Sequence, residues 1–373
     1  MILGAPSASE EAGELALRAR LTFEDPGRPA FELRFGVPGE LASSADRTAN
    51  PFIPLATLIA ARTGEDLAIE APLSPRLLAG ARRAADTFGE WWGYRVPVLR
   101  PEGGQTPATG GEGIGFMYSR GVDSGASLIR SLRGEIPERV TQLLCGDGIE
   151  WAFSAEVERQ IWADHERAAA ELGLPLVRLT CNARELLRGL IGWPRSFGAA
   201  YIGTALALGP TLSAIVTGAT QPMVNPEPRG SRWDLDPLWS TEGTAVRQEG
   251  AELDRTARTR IVAGHETYLR WLKVCWQGRT AGNCGRCMKC LRTMTALAAE
   301  DALDGARLFE APLTAQAIRA APPEKLGVAL SPSLPESVPG DMPEIRAAWE
   351  EKVVEDQLRR RERLRAEARE CRL

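Results

Sequence analysis

At 373 residues the chain is long enough for two domains, and 44% hydrophobic with 25% charged residues is the balance of a globular protein, which sets aside a disordered or fibrous chain. The net charge of −4 removes any bulk electrostatic pull toward nucleic acid or an anionic membrane. Lysine occurs only at Lys273, Lys289, Lys325 and Lys352, so cationic work ahead of residue 273 falls to arginine, whose forked guanidinium suits phosphates and carboxylates.

The opening residues carry no basic segment followed by an apolar core. Seven cysteines without such a leader point to a reducing cytoplasm. Leu15 to Phe23 and Phe31 to Phe35 have apolar residues at period two, with Asp25-Pro26-Gly27 between them, which predicts an antiparallel pair of strands. Pro51 to Arg62 reads as a helix, Asp66 to Glu70 as a short strand, Ser74 to Trp92 as an amphipathic helix and Arg95 to Leu99 as another strand. Residues 1–102 therefore form an N-terminal α/β subdomain. The Gly, Thr and Pro of residues 103–112 mark a linker.

From Gly113 strands and helices alternate. Strands are predicted at Gly113 to Tyr118, Val140 to Cys145 and Leu174 to Thr180, with helices at Ser154 to Leu172 and Ala183 to Leu190. Phe197 to Val216 has no charge, and Gly209-Pro210 divides it into a buried helix and a strand, so it is not a membrane span. The alternation predicts an α/β fold, a doubly wound parallel sheet whose ligands sit at the carboxyl ends of the strands. Asp147, Arg184 and Thr217 follow successive strands and are weak substrate-binding candidates. So are Glu242, in a loop-like stretch with Trp239, and Arg292. Trp239 is also a candidate core anchor, with Ser240 or Thr241 capping a following helix. His165 and His265 stand in charged helical contexts and read as surface residues.

The turn Tyr118-Ser119-Arg120-Gly121-Val122-Asp123-Ser124 joins an apolar strand to a helix. Small residues there let backbone N–H groups converge, and the helix adds the positive end of its dipole, which suits a phosphate. The bland alternative is a strand–helix turn in which Asp123 or Ser124 is the N-cap. The run resembles the S-G-G-x-D-S loop of the PP-loop ATP pyrophosphatase superfamily, with Arg120 where glycine is usual. The resemblance implies that Tyr118 to Ser124 bind ATP through its pyrophosphate, with Asp123 and Ser124 as the catalytic candidates. Asp123 would fix the loop or hold Mg²⁺. Arg at position 120 costs about 1 kcal/mol or more if φ there is positive, and otherwise places a forked cation on a phosphate.

Cys275, Cys284, Cys287 and Cys290 give C-x8-C-x2-C-x2-C, the ligand set of a structural Zn²⁺; an iron–sulfur cluster is the rival, though its runs place the fourth cysteine downstream. Cys145, Cys181 and Cys371 read as ordinary thiols. A PP-loop followed by this motif resembles the 7-cyano-7-deazaguanine synthase (QueC) family over residues 113 to about 298. The resemblance implies an adenine nucleotide α-hydrolase-like (HUP-type) domain over 113–300. It also implies an ATP-dependent carbon–nitrogen ligase that adenylates a small carboxylate or amide of 7-deazaguanine type, as in queuosine biosynthesis. A conjugating enzyme of antiphage defence or secondary metabolism, a tRNA thiolation-type enzyme and a non-catalytic nucleotide-binding scaffold are the alternatives. Nothing in the sequence gives a strong nucleic-acid signal. Residues 301–373 form a C-terminal helical extension with an apolar stripe of Ile345, Trp349, Val353 and Leu358. That helix packs on its own chain or serves as a homodimer arm.

Overall fold

The computed structural model describes residues 1–148, 154–224, 226–277, 280–322 and 330–370, without the side chains of 363–370. In chain order the elements begin with β1 (Ile2–Leu3), β2 (Ser7–Glu11), β3 (Glu14–Thr22), β4 (Phe31–Pro38), α1 (Ile53–Thr63), β5 (Leu67–Ile69), α2 (Pro75–Trp92) and β6 (Leu99–Arg100). Then come β7 (Gly113–Met117), α3 (Val122–Arg133), β8 (Gln142–Asp147), α4 (Ala155–Glu171), β9 (Leu176–Cys181), α5 (Ala183–Leu186), α6 (Trp193–Leu206), β10 (Leu212–Gly218) and β11 (Ala245–Glu249). The remaining helices are α7 (Arg255–Ala263), α8 (Glu266–Arg270), α9 (Met288–Ala298), α10 (Ala315–Ala320) and α11 (Pro343–Glu370).

The strands form one mixed sheet of 11, in the order β11-β10-β7-β8-β9-β4-β3-β1-β5-β6 with β2 added on β3. Pairings from β11 through β9 are all parallel, as are those that link β1 to β5 and β5 to β6. The expectation of a parallel sheet is thus corrected to a mostly parallel one. β3 pairs antiparallel with β1, β2 and β4, and β4 pairs antiparallel with β9. For β2 with β3 and β3 with β4 the cause is local: turns too short for a crossover join them, and only antiparallel partners accept such turns. Through Phe35↔Cys181 and Gly36↔Thr180 the sheet runs continuously across the Gly/Thr/Pro-rich connection at 103–112.

Within the parallel part the strands run β9-β8-β7-β10-β11, which is 3-2-1-4-5 in chain order. The chain leaves β7 toward β8 on one side and later returns to β10 on the other. The switch point therefore lies between the carboxyl ends of β7 and β10.

Residues group into two compact units. The first comprises Met1–Ser119, Asp123–Ala152 and His165–Arg258, and the second Arg120–Val122, Phe153–Asp164 and Thr259–Leu373. In the first, α1, α2 and α6 pack together and α6 lies on β7, β8 and β9. α2 starts cleanly because the Ser74 hydroxyl accepts from Leu77 N–H and Pro75 sits at the first helical position, and Leu77, Leu78, Ala81, Ala84, Ala85 and Phe88 are its buried face. No described helix is long and apolar enough to cross a membrane; the uncharged stretch from Phe197 divides into α6 and β10 as expected.

Two local expectations change. The expected Arg95–Leu99 strand shortens to Leu99–Arg100, with Val98 O accepting from Leu67 N–H at 3.0 Å and the Val96 and Val98 side chains exposed. Thr241 leads into a strand rather than a helix: Ser240 Oγ accepts from Val246 N–H and Thr241 Oγ1 from Thr244 N–H, which turns the chain into β11. Trp239 is a fully buried core residue.

In the second unit α9, α10 and α11 share a small core of Met288, Leu291, Ile318, Ile345, Ala348, Trp349 and Val353. Trp349 Nε1 donates to Thr295 Oγ1 at 2.9 Å, which satisfies the buried indole. The expected stripe on α11 holds through Val353, while Leu358 is 54% exposed.

Candidate functional site

The turn after β7 falls at the switch point. Tyr118 N–H donates to Leu144 O at 2.8 Å, so pairing with β8 extends one residue beyond β7 before the chain turns into α3. Tyr118 is buried, with its ring edge-on to His165 at 5.8 Å. That contact corrects the surface reading of His165, which is 7% exposed because it faces the strand end from α4. His265 is half-buried, and its Nδ1 accepts from Tyr268 N–H at the start of α8.

α3 begins at Val122, so Asp123 and Ser124 lie inside its first turn and neither is the N-cap. Ser119 Oγ and Ser124 Oγ are 3.0 Å apart across the turn. On the β10 side Gly218 leaves no room: a Cβ there would stand 2.9 Å from Asp123 O and from Ser124 Cα. This close approach brings the end of β10 against the first turn of α3.

Asp123 is held by two arginines that the sequence reading did not name. Arg255 donates to Asp123 Oδ1 at 2.8 Å and Arg258 donates to the same oxygen at 3.2 Å. Arg258 is 2% exposed and also donates to Gly250 O. Both come from α7, more than a hundred residues downstream, where no spacing could announce them. With its carboxylate engaged by two cations, Asp123 fits the loop-fixing role and is a poor Mg²⁺ ligand.

Arg120 has φ +56°, so the strained alternative applies, at about 1–2 kcal/mol for an L side chain. Its guanidinium is fully buried, 3.6 Å from the Asp164 carboxylate, and none of its three nitrogens has a hydrogen-bond partner among the described residues. Asp164 in turn accepts from Gln160 Nε2 at 2.8 Å. Arg120 therefore meets a carboxylate of its own chain and presents no fork to solvent. Its backbone oxygen accepts from Lys273 N–H at 2.9 Å, and Gly121 O accepts from the Tyr268 hydroxyl at 2.8 Å.

The four cysteines converge. Cys275, Cys284, Cys287 and Cys290 place their sulfurs within 4.8 Å of one another, an arrangement that could hold a metal ion. Cys275 and Cys287 are 3.9 Å apart, Cys284 and Cys290 3.9 Å, and Cys287 and Cys290 3.4 Å. Arg286 N–H and Cys287 N–H both donate to Cys284 Sγ, at 3.4 and 3.3 Å. Gly285 allows this wrap: its φ is +65° and a Cβ would stand 2.4 Å from Ala311 O.

The substrate candidates are dispersed. Asp147, at the end of β8, accepts from Arg178 Nε at 3.0 Å. Arg184 lies over the Trp193 ring at 4.5 Å. Glu242 accepts from Arg76 N–H and Ala108 N–H, which places it at the start of α2. Arg292 is half-buried on α9. Thr217 alone stands beside the turn, one residue before Gly218, and donates to Asp236 Oδ2 at 3.0 Å. Ser231 Oγ, Gln248 Nε2 and Arg232 N–H complete the coordination of that buried carboxylate, yet desolvation still pushes Asp236 up to about 6.

Cys181 is buried, and desolvation raises its thiol to about 11, in keeping with an ordinary core thiol; Cys145 is buried as well, and Cys371 lies outside the described residues. No protein-family model, curated protein or solved structure matches the chain.

Proposed function

We propose that this chain is a QueC-like, ATP-dependent carbon–nitrogen ligase that adenylates a small carboxylate or amide. The observation that carries the reading is the position of Ser119 to Ser124: a strand–turn–helix with two facing hydroxyls, at the crossover of a 3-2-1-4-5 sheet. The four sulfurs support it from a second direction. A tetrahedral zinc with Zn–S of about 2.3 Å sets sulfurs roughly 3.8 Å apart, close to the 3.9 Å of Cys275–Cys287 and Cys284–Cys290, while Cys287–Cys290 is shorter at 3.4 Å. On this reading zinc is held by Cys275, Cys284, Cys287 and Cys290, supplies folding energy and takes no part in the chemistry.

In the reaction an oxygen of the substrate attacks the α-phosphorus of ATP, the bond to the bridging oxygen breaks, and pyrophosphate leaves with the electron pair. An amine then displaces AMP from the acyl carbon. The demand on the protein is to orient and neutralise the leaving diphosphate, which needs little acid–base machinery. The Ser119 and Ser124 hydroxyls and the first turn of α3 would hold the diphosphate, while Arg255 and Arg258 fix Asp123 and with it the turn. Asp123 enters as a positioning group, and no step is assigned to Mg²⁺.

ATP–pyrophosphate exchange dependent on a 7-deazaguanine-type carboxylic acid tests the proposal. Exchange that disappears in Ser119→Ala/Ser124→Ala is the expected result; a zinc-loaded chain that neither exchanges nor binds ATP overturns it. A second reading, the non-catalytic nucleotide-binding scaffold, is favoured by the strained and internally paired Arg120. Arg120→Gly separates the two. Exchange in the natural chain favours the ligase, and exchange that appears only in the glycine variant favours the scaffold.

A further inference from the structure

Two backbone oxygens of the turn, those of Arg120 and Gly121, accept hydrogen bonds from the segment just ahead of Cys275. Lys273 N–H serves Arg120 and the Tyr268 hydroxyl serves Gly121. One side chain clamps that segment. Asn283 Oδ1 accepts from Val274 N–H at 2.7 Å and from Cys275 N–H at 2.9 Å, and its Nδ2 donates to Leu272 O at 2.7 Å. Asn283 is fully buried, and its own backbone is paired with Leu308 and Glu310. Lys273 Nζ adds bonds to Thr280 O and Gly282 O. Two of the four sulfurs flank the clamp: Cys275 donates to it, and Cys284 follows it directly in the chain.

Arg120, with φ +56°, is in a conformation that an L side chain keeps only when its surroundings impose it. Its carbonyl is bonded to the metal-bearing segment, and so is its neighbour's. We propose that Tyr268 and Asn283 are positioning residues for the anion turn: with the metal in place they hold the Arg120-Gly121 backbone in the shape the diphosphate requires, so that metal occupancy sets the affinity of the turn. This rests on the reading of Ser119 to Ser124 as a diphosphate cradle and adds to it a dependence on the four-cysteine centre. The coupling is carried by named hydrogen bonds and a strained residue, and the metal need not approach the ligand.

The test uses inorganic pyrophosphate as probe, isothermal titration calorimetry on the zinc-loaded full chain, and hydrogen exchange over residues 118–124. Tyr268→Phe keeps the ring and all four cysteines and removes the hydroxyl bond to Gly121 O. It is expected to weaken pyrophosphate about tenfold, the equivalent of one hydrogen bond, and to speed exchange in the turn. Asn283→Ala and metal removal are expected to weaken binding further and to speed exchange over residues 272–284 as well. If Asn283→Ala fails to fold, Tyr268→Phe decides. Zinc-loaded, folded Tyr268→Phe with wild-type affinity and unchanged exchange overturns the positioning role and leaves the diphosphate reading standing. A wild-type chain that binds no pyrophosphate overturns both.

Discussion

The four-cysteine cluster and the turn after β7 are built from side chains that reach their partners over very different spans of sequence. All four sulfurs come from one short stretch, and their neighbours, Asn283 and Gly285, come from inside it. The turn draws Ser124 from its own helix, Arg255 and Arg258 from α7 and Gly218 from β10. The first site is a local knot that could close on a metal ion. The second exists only when the sheet is complete, and it can be dismantled one partner at a time.

Breaking the knot carries the largest expected effect. Cys290→Ser removes one of four thiolates from a closed site and should weaken a metal-binding free energy that is on the order of 10 kcal/mol for the whole site. Metal content by X-ray fluorescence should fall, and the unfolding temperature of the zinc-loaded preparation should fall with it; full metal content in the variant would contradict the four-ligand centre. Next is the buried pair at the turn. Arg120→Gly relieves about 1–2 kcal/mol of backbone strain but strands the Asp164 carboxylate, at about 3–5 kcal/mol. A net loss of roughly 2 kcal/mol is expected, most of it recovered in Arg120→Gly/Asp164→Asn. Additive single and double variants in denaturant titrations would show that the two groups do not interact.

Asp236 probes the sheet beside the turn through pH. Burial raises its carboxyl from 3.8 to about 6, so the native state binds the proton more tightly than the unfolded chain does. The stabilising contribution is complete below about 3.8 and is lost as pH rises through 6, roughly 3 kcal/mol in all. Relative to the wild type, Asp236→Asn should therefore gain stability between pH 4.5 and pH 7; parallel pH profiles would contradict the buried carboxylate. The smallest effect sets the baseline. Leu358→Ala, on the exposed end of the α11 stripe, should change stability by less than about 0.5 kcal/mol, whereas Trp349→Ala in the same stripe should cost about 3–5 kcal/mol.

Sequence alone made the knot readable, because closely spaced cysteines and glycines need no partner from elsewhere. The turn was readable as a strand, small residues and a helix, and so was the alternation that produced β7 to β10. The grip on Asp123 was not readable, because Arg255 and Arg258 look like ordinary arginines of a charged helix until the sheet brings them in. Arg120 could be posed only as two alternatives, since φ is set by tertiary packing. His165 misled for the same reason: charged neighbours on α4 suggested solvent, while Tyr118 covers the ring. The antiparallel joint of β4 to β9 and the strand β11 depend on pairings that periodicity does not specify.

The central claim is that the turn after β7 grips a diphosphate, and the most direct measurement is a calorimetric titration of the zinc-loaded chain with ATP and with pyrophosphate, beside Gly218→Val. A larger side chain at Gly218 would strike the first turn of α3. Saturable binding of both ligands in the wild type, abolished in Gly218→Val while the metal is retained, is the predicted result. Equal binding by the two proteins, or none by the wild type, would contradict it.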